Sequence, residues 1–421
     1  MQTISATYRV TTPMFLGGAE QQAELRLSSF KGVLRFWWRA LALQVFQHKV
    51  GDVRIREAEL FGSTAAGQSK LLMRMKPLGK LEPYDDRLPA GLTYLAGMGL
   101  SRPNGNLRRS AIAAGIGFTI QIALRTELSA AEQELLRKAL IAVGLFGGLG
   151  SRSRHGFGSV ALEHLEGIGD QWHVPSQIAE LDQQLCFALK SEHGNVQSPE
   201  PAFTAFSSNT RIVLLEGNSH QSPLALLEQV GNEMLRFRSY GAVRNGGRKT
   251  SLGESPESYS DADKRPRFHA DHDAVQDFLQ TGERPESAPE RVAFGLPHNY
   301  FFGSLSDGRD LQIKAEVTPA SDHERRGSPL FFHLHTAQDS PPIAVVTFMP
   351  ARFLPEGEQL EFRDTSKDRR RSISSMRRRQ LPVKVPLRAD HWEPIHAFLN
   401  RLCDSNQRKE SFDDVREVTH A

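Results

Sequence analysis

The order of strand-like and helix-like segments in residues 1–165 constrains the fold more than any other feature of this chain. ISATYRVTT, at residues 4–12, alternates and is rich in β-branched residues, which predicts a strand. SSFKGVLRFWWRALALQVFQH, at residues 28–48, repeats its apolar residues with helical spacing. Ser28 or Ser29 is the predicted cap of this helix, because a side-chain oxygen there can accept a free backbone N–H.

A second helix is predicted at residues 129–146, where Ser129 and Glu132 form a capping box. Short strands are predicted at three further places: KLLMRM at 70–75, IGFTIQIALR at 116–125 and GSVALEHLE at 158–166. Residues 1–165 are therefore expected to fold as β-α-β-β-α-β.

A second cycle follows a polar, proline-containing stretch at 166–205, which is predicted to be a linker with at most one short helix. TRIVLLEG at 210–217 predicts a strand, and SPLALLEQVGNEMLRFRSYG at 222–241 predicts a helix with Pro223 near its first position. Three strands and a closing helix, which Pro394 is expected to interrupt, complete the cycle at 311–318, 328–336, 342–350 and 389–402.

Both cycles place Leu-Arg-Phe late in their first helix, at 34–36 and at 235–237, as expected for two related units. The predicted domains are residues 1–165 and 206–421. Residues 241–290 show little periodicity and are predicted to be a long insertion in the second domain that is mobile or contacts a partner.

Composition argues against a membrane-spanning chain and against a disulfide-stapled one. The longest apolar stretch, at 111–124, is shorter than the roughly 18 residues that a membrane span needs. Cys186 and Cys403 are too few to staple a chain of 421 residues. The first residues carry no secretion signal. A cytoplasmic protein that does not contact membranes is therefore expected.

Charge is unevenly distributed along the chain. Residues 1–165 hold 21 Lys and Arg against 12 Asp and Glu, whereas residues 166–421 hold 31 against 37. A basic excess raises the local concentration of polyanions and speeds the encounter with them. The arginine-rich stretch at 363–379 is predicted to be a solvated segment, with a nucleic-acid tether as the alternative.

A glycine-rich basic sequence, GGLGSRSRHGFGSV at 147–160, directly follows the second helix. Three glycines and three basic or titratable side chains define it: Gly147, Gly148, Gly150, Arg152, Arg154 and His155. Glycine permits close backbone approach and lets N–H groups face an anion, so the loop is predicted to hold a phosphate chain. A tight turn that merely needs glycine is the alternative. The Gly-Lys-Ser/Thr ending of a phosphate-binding NTPase loop is missing from this sequence.

The first helix carries a basic stripe, because Lys31, Arg35 and Arg39 are spaced four residues apart, with Trp38 beside them. Such a stripe can neutralise phosphates while the indole stacks on a base. The alternative is the hydrated back of an amphipathic helix. The stripe and the glycine-rich loop are expected to converge on one RNA-binding surface.

Some histidines are spaced as metal ligands or could act as a catalytic base, but the sequence does not identify the other residues that such sites need. His333 and His335 alternate on a predicted strand with His323 nearby, yet no cysteine or carboxylate joins them at fixed spacing, so they are predicted to be partly exposed strand residues. His155 could act as a general base on a ribose 2′-OH, but spacing identifies no partner acid. No catalytic residue, metal or other cofactor is therefore predicted.

Four motifs together resemble the RAMP superfamily. They are TPMFLGGAE with LRLSSFKGVLRFWWRAL within 12–41, GGLGSRSRHGFGSV at 147–160, FGLP at 294–297 and ERRGSPLFFHLH at 324–335. Their order and combination resemble the first subunit of the Cmr module, the type III-B CRISPR effector complex. The resemblance implies an α+β fold of two ferredoxin-like (RRM-like) domains with antiparallel sheets and a glycine-rich loop. The insertion at 241–290 and the arginine-rich stretch at 363–379 match no motif.

The resemblance also implies a non-catalytic, RNA-binding subunit at the head of an antiviral ribonucleoprotein. Its expected partners are the 3′ part of the guide RNA, the target RNA and other RAMP subunits. The loop and helix residues named above would contact RNA. Four further arginines are assigned the same role: Arg236, Arg238, Arg325 and Arg326. As the alternative, Arg325 and Arg326 would brace an interface between the two domains.

Two other functions remain open at this point. The glycine-rich loop also fits a metal-free endoribonuclease that processes CRISPR precursor RNA, with His155 as its base. The third possibility is a protein–protein adaptor whose basic stripe contacts acidic subunits.

Overall fold

The computed structural model describes residues 2–18, 22–189, 200–238, 268–302, 305, 311–321, 325–368 and 379–419. Three sequence predictions fall wholly or largely outside these residues: those for His323, for the part of the insertion at 241–267 and for the two arginine triplets at 369–371 and 377–379, of which only Arg379 is described.

The helices and strands are named in chain order. The helices are α1 Leu27–Val45, α2 Val50–Phe61, α3 Ala90–Leu100, α4 Ala130–Phe146, α5 Ile178–Leu189, α6 Pro223–Arg238, α7 His269–Thr281 and α8 Glu393–Cys403. The strands are β1 Thr3–Val10, β2 Leu71–Leu78, β3 Pro83–Tyr84, β4 Ala111–Ile112, β5 Gly117–Leu124, β6 Val160–Glu166, β7 Arg211–Glu216, β8 His298–Phe302, β9 Leu311–Pro319, β10 Leu330–His335, β11 Ile343–Phe348, β12 Leu360–Asp364, β13 Lys367–Asp368, β14 Val383–Val385 and β15 Asp414–Glu417.

The first sheet is antiparallel and has the strand order β2-β5-β1-β6. Alternate residues of β1 are buried, which is the pattern of a sheet with one covered face. On that face Tyr8 packs against Phe30 of α1, and its hydroxyl donates to the Leu140 carbonyl of α4 at 2.9 Å. The predicted β-α-β-β-α-β order is confirmed, with additional short elements between the main ones, and it forms a ferredoxin-like sheet with two helices on one face.

The two predicted helix starts differ in outcome. The Ser129 capping box of α4 is confirmed, because the Glu132 N–H donates to Ser129 Oγ and the Glu132 carboxylate accepts the Ser129 N–H. The caps predicted for α1 are wrong. Arg26 is its N-cap, no side chain caps it, and Ser28 and Ser29 already lie inside the helix.

The second sheet repeats the topology of the first with the strand order β10-β11-β7-β15. Helix α6 lies between β7 and β10 in the chain, and α8 lies between β11 and β15, so the same β-α-β-β-α-β order recurs. Pro223 is the first residue of α6, as predicted. Pro394 does not interrupt α8, because it occupies the first turn, where its missing N–H is not needed.

The compact units of the chain differ from the predicted domains. The first unit comprises residues 1–233, 330–351 and 402–421, and it contains both ferredoxin-like sheets. They belong together because one hydrophobic core includes side chains of both, such as Ile120 and Val345. The predicted linker contributes α5 to this core.

The second unit comprises residues 234–329 and 352–401, two segments that interrupt the second β-α-β-β-α-β cycle and include most of its helix α8. In its antiparallel sheet, β9 pairs with β8, β12 and β13, and β12 pairs with β14. Phe278 of α7 packs edge-on against Phe362 of β12 in a separate core. The predicted insertion at 241–290 therefore includes a helix, α7, that sequence periodicity did not reveal.

Candidate nucleic-acid interface

The base of the glycine-rich loop is buried in the first unit. The side chains of Leu149 and Phe157 are fully buried, and Gly148 forms a bridge with Ser159. Six backbone amides donate to carbonyl groups of the protein: those of Gly147, Leu149, Ser151, His155, Gly156 and Gly158. The prediction that the loop presents its amides to an anion is wrong for these six, because each already has an acceptor.

Glycine is required here by close packing. Gly150 has a φ of +92°, and a Cβ there would lie 2.5 Å from the Phe15 carbonyl oxygen. A Cβ on Gly147 would lie 2.5 Å from the Val143 carbonyl oxygen. The tight-turn alternative therefore describes the base of the loop.

A buried hydrogen-bond network fixes this base between β1 and β10. Ser159 Oγ donates to the Gly156 carbonyl at 3.0 Å and accepts the Leu334 N–H at 3.1 Å. Thr12 Oγ1 donates to the same Gly156 carbonyl at 2.6 Å, and the Phe332 N–H donates to the Arg154 carbonyl at 2.9 Å. The loop consequently covers the edge strand β10.

The two strand histidines belong to this buried region. His333 and His335 are each 1% exposed, so the prediction of partly exposed residues is wrong. His333 Nδ1 donates to the Gly147 carbonyl at 2.8 Å, and His335 Nε2 donates to the Pro175 carbonyl at 2.8 Å. Burial and the nearby His335 lower the pKa of His333 to about 3, and burial also lowers the pKa of His335. Both rings are neutral at pH 7 and hold structure in place.

The tip of the loop, residues 151–155, reaches the surface. Arg152 is exposed and packs beside Gly97, where a Cβ would lie 2.7 Å from its Nη2. His155 is half-buried, and its Nδ1 is 2.9 Å from the Leu95 carbonyl oxygen. Arg109 Nη2 donates to Ser151 Oγ at 2.5 Å. The tip is thus held by residues of α3 and of the turn that precedes β4.

Arg154 lies over a groove beside α1. Its guanidinium is 4.7 Å from the ring centroid of Phe331 and 5.6 Å from that of Phe36, so two aromatic faces fix its position. The residues that line this α1 groove are Ser29, Gly32, Val33, Phe36, Trp37, Phe146, Gly147, Gly148, Ser153, Arg154 and Phe331. None of these described lining residues is acidic.

The start of α1 adds to the positive character of the groove. The first turn holds no acidic residue, and no side chain caps it. Helix N-termini carry about half a positive charge and free N–H groups, which favour anions. Ser29 and Gly32, from the first two turns, line the groove together with Arg154. The N-terminus of α1 and the Arg154 guanidinium together are suited to binding a phosphate group.

The basic stripe of α1 faces α2 instead of the groove. Arg35 Nε and Arg39 Nη1 both contact Glu57 Oε1, at 2.7 and 2.6 Å, and Lys31 Nζ donates to the Phe61 carbonyl at 3.0 Å. Because each residue advances a helix by about 100°, the stripe lies about a third of a turn from the groove-lining side of α1. The expected convergence of stripe and loop on one surface is wrong. Part of the stripe's charge is neutralised by Glu57.

Trp38 is not available for base stacking. It is 3% exposed and packs edge-on against Phe61 of α2. The assignment of Trp38 to RNA is therefore wrong, because a base cannot reach a ring that another helix covers.

The other four arginines assigned to RNA lie in the second unit. Arg238 is half-buried, with its guanidinium 4.6 Å from the ring centroid of Phe294. Arg326 pairs its backbone with Leu296, and Arg325 is exposed. Arg236 is half-buried in the last turn of α6. RNA binding by these four residues stays a prediction.

Sequence reasoning missed the groove itself and the partner of the loop tip. Phe36 and Gly32 line the groove, but in the sequence they are part of an ordinary amphipathic helix. Arg109 contacts the tip, and the only signal for it was the Arg108–Arg109 pair in a polar turn. No spacing rule connects that pair to a loop so much later in the chain.

Metal binding and membrane insertion find no support in the described part of the chain. It contains no group of three or more His, Cys, Asp or Glu side chains placed to hold a metal ion. None of its helices combines the length and the hydropathy required to cross a bilayer.

The N-terminal part of the chain is similar to known proteins. The family model of the RAMP superfamily matches residues 7–161. A curated relative, the CRISPR system Cmr subunit Cmr1-2 of Pyrococcus furiosus, is 38% identical over 64 residues. That alignment covers 15% of this chain and 34% of the relative, so the chain matches about a third of the relative's length.

One solved structure is similar in fold over the whole chain. The crystal structure of apo Cmr1 from Pyrococcus furiosus has a TM-score of 0.50 and 16% identity, and the match covers 100% of this chain and 99% of that one. A chain of type III-B Cmr-beta bound to cognate target RNA has a TM-score of 0.44 and 14% identity, covering 83% of this chain and 94% of that one. The first of these matches assigns the α+β fold. Residues 7–161 thus match the RAMP superfamily model, and the fold of the chain is like that of Cmr1.

Proposed function

We propose that this chain is a non-catalytic RNA-binding subunit of a type III-B CRISPR effector complex, and that it binds guide or target RNA through the α1 groove. One observation carries the proposal. Arg154, fixed between Phe36 and Phe331, lines a groove with the uncapped start of α1, and no acidic side chain lines that groove among the described residues. The RAMP match and the curated Cmr relative support the assignment to the complex. Other RAMP subunits are its proposed neighbours, in the cytoplasm.

Binding at the groove would be electrostatic and independent of base sequence. An arginine that contacts a phosphate releases condensed counterions, so affinity falls as salt rises. The dipole of α1 adds attraction for the same phosphate. A subunit that accepts many different guides needs contacts of this kind, because contacts with the phosphate backbone position RNA without reading its bases.

The endoribonuclease alternative depends on His155. Its Nδ1 donates to the Leu95 carbonyl oxygen at 2.9 Å, so the neutral ring presents Nε2 as the nitrogen that can take a proton. A non-catalytic subunit is expected to leave CRISPR precursor RNA intact in EDTA, as measured on denaturing gels. Site-specific cleavage that disappears in His155→Ala would replace the proposal with the endoribonuclease.

Two glycines on exposed helix surfaces allow a charge test of the groove. Gly32 of α1 lines the groove, Gly51 of α2 does not, and a Cβ at either position meets no atom within 4 Å. Gly32→Glu is expected to weaken binding of single-stranded RNA at least about fivefold. Two unit charges 4 Å apart interact by about 1 kcal/mol even in bulk water, and fivefold corresponds to that energy. Gly32→Arg is expected to strengthen binding, with fluorescence anisotropy as the measurement.

Gly51→Glu and Gly51→Arg are the matched controls, because they change the net charge and the helix by the same amount. Equal effects at both positions would contradict the groove, since binding would then follow only the total charge. Anisotropy at several salt concentrations completes the test. Affinity that does not depend on salt would favour the adaptor over the RNA-binding subunit.

A further inference from the structure

The sheet of the second unit has one face on a hydrophobic core and one face towards solvent. Tyr300 and Phe302 of β8 and Ile313 of β9 are buried on the core face. The intervening side chains of both strands point the other way, because strand residues alternate between faces. On β9 these outward residues include Gln312, Lys314 and Glu316, which are polar as expected for a solvated face.

Phe301 departs from this pattern. It lies on the solvated face of β8 and is 59% exposed. Lys314, its cross-strand partner, places Nζ 5.4 Å from the ring centroid. An exposed aromatic face with a cation beside it is the arrangement that single-stranded nucleic acid uses, since a base stacks on the ring while the cation attracts a phosphate.

The charge of this face fits a polyanion. Cross-strand register places four basic side chains on it and two acidic ones: Lys314, Arg363, Lys367 and Lys384 against Glu316 and Glu361. Arg363 is paired with Glu361. The face keeps a positive excess next to Phe301, so charge complementarity favours RNA over an acidic protein surface that offers no base to stack.

Three strands of the first ferredoxin-like sheet, β1, β2 and β5, offer no comparable ring. On the open face of this sheet, Ser5 and Thr7 of β1 pair with Gln121 and Thr119 of β5. These two β5 residues pair in turn with Arg74 and Lys76 of β2, and Arg9 of β1 lies on the same face. These outward positions of β1, β2 and β5 hold no aromatic residue. A stacking contact of the kind seen in RRM domains is therefore available on the sheet of the second unit and not on this part of the first sheet.

We propose that Phe301 and Lys314 form a stacking site for one base of single-stranded RNA. This site adds a second RNA contact to the α1 groove, and it depends on the proposed function in that the chain must meet RNA. Phe301 supplies the ring, Lys314 attracts the adjacent phosphate, and the contact accepts any base, because every base has a π face.

Stacking on Phe301 can be tested by affinity and by crosslinking with the full chain. Phe301→Ala is expected to weaken binding of oligouridylate at least about fivefold, since stacking contributes about 1–3 kcal/mol per base. Phe301→Trp is expected to restore it. With 5-iodouridine in the RNA, the crosslinked peptide in the wild type is expected to contain Phe301. Phe203→Ala is the matched control, because Phe203 is also 59% exposed but lies outside the helices and strands.

The possible outcomes separate this site from the groove. If Phe301→Ala binds RNA as the wild type does while Gly32→Glu binds weakly, the stacking site is wrong and the proposed function stands. If the wild type binds no RNA, the proposed function itself fails. Equal losses in Phe203→Ala and Phe301→Ala would indicate nonspecific apolar adhesion and overturn the site. So would a Phe301→Ala variant that loses a protein partner but keeps its RNA affinity.

Discussion

Alanine at Gly158 is expected to lower the free energy of unfolding by about 3 kcal/mol or more. Gly158 has a φ of +67°, and a Cβ there would lie 2.1 Å from the Leu149 carbonyl oxygen. The left-handed conformation alone costs a non-glycine residue about 1 kcal/mol or more, and overlap in a packed interior typically adds about 1–3 kcal/mol. Urea unfolding followed by circular dichroism measures the loss.

The overlap cannot be relieved by a side-chain rotation, because the contacting atom belongs to the backbone. The Leu149 N–H donates to the Gly158 carbonyl at 2.8 Å, and the Gly158 N–H donates to the Pro13 carbonyl at 2.9 Å. A shift of Gly158 therefore strains two hydrogen bonds in the base of the loop. Loss of this base would also displace Arg154, whose carbonyl bonds to β10.

Gly115→Ala is the matched control for the effect of φ. Gly115 has a φ of +95°, but a Cβ there would meet no atom within 4 Å. This variant is expected to lose only about 1 kcal/mol, which is the cost of the conformation without overlap. Similar losses at Gly115 and Gly158 would show that the loop base is not tightly packed, contrary to the structure.

The base and the tip of the glycine-rich loop therefore differ in their surroundings. The residues near Gly147 and Gly158 join β1, α4 and β10, and their amides are occupied. The short tip carries Arg152 and Arg154 to the surface. Substitutions in the base are expected to act on stability, whereas substitutions at the tip are expected to act on RNA binding. The tight-turn alternative thus describes the base, and RNA binding at the tip stays a prediction.

Local signals in the sequence predicted the first sheet well. The alternation of β1 and the capping box of α4 depend on neighbouring residues only, so they could be found without tertiary information. Helix α2 was missed because charged residues dominate it and only Val53, Glu57, Leu60 and Phe61 are buried. A helix with so few buried apolar positions has a weak periodic pattern.

Missing α2 explains two errors about α1. Without Phe61, the flank of α1 that holds Trp38 looks open, and without Glu57 the stripe of Arg35 and Arg39 looks unpaired. Both contacts join residues of two different helices, which the periodicity of either helix cannot reveal. Candidate RNA contacts on a basic helix therefore depend on what packs beside it, and that is a tertiary property.

The second unit was hidden for a different reason. Its strands come from two chain segments, 234–329 and 352–401, and these are separated by β10 and β11 of the first unit. Reading along the chain assigns all of these strands to one domain. The pairing of β9 with β12, which brings Ala315 and Asp364 together, depends on long-range register. The pairing of β8 with β9 places Phe301 opposite Lys314, and burial of the neighbouring Tyr300 and Phe302 shows that Phe301 is on the solvated face.

Acidification from about pH 7.5 to about pH 5 is expected to destabilise the first unit through His333. Its pKa is about 3 in the folded chain, owing to burial and to the nearby His335, against about 6.5 when unfolded. Between these two values the unfolded chain binds a proton that the folded chain does not. The free energy of unfolding therefore falls as the pH drops below 6.5, by about 1.4 kcal/mol per unit, or about 2 kcal/mol at pH 5. His335 acts in the same direction.

The geometry explains why the folded chain resists this proton. His333 Nδ1 already donates to the Gly147 carbonyl, so a second proton must go to Nε2, which is buried and has no hydrogen-bond partner among the described residues. His333→Asn is the control, because its side-chain amide can still donate to Gly147 but does not titrate. Both proteins are unfolded in urea at the two pH values. The contributions of all other titrating groups to the free energy of unfolding cancel when the two changes are subtracted. The wild type is expected to lose about 2 kcal/mol more than His333→Asn on acidification. Equal losses would mean that His333 is protonated at little cost in the folded chain, and that the ring does not hold the loop base in its neutral form.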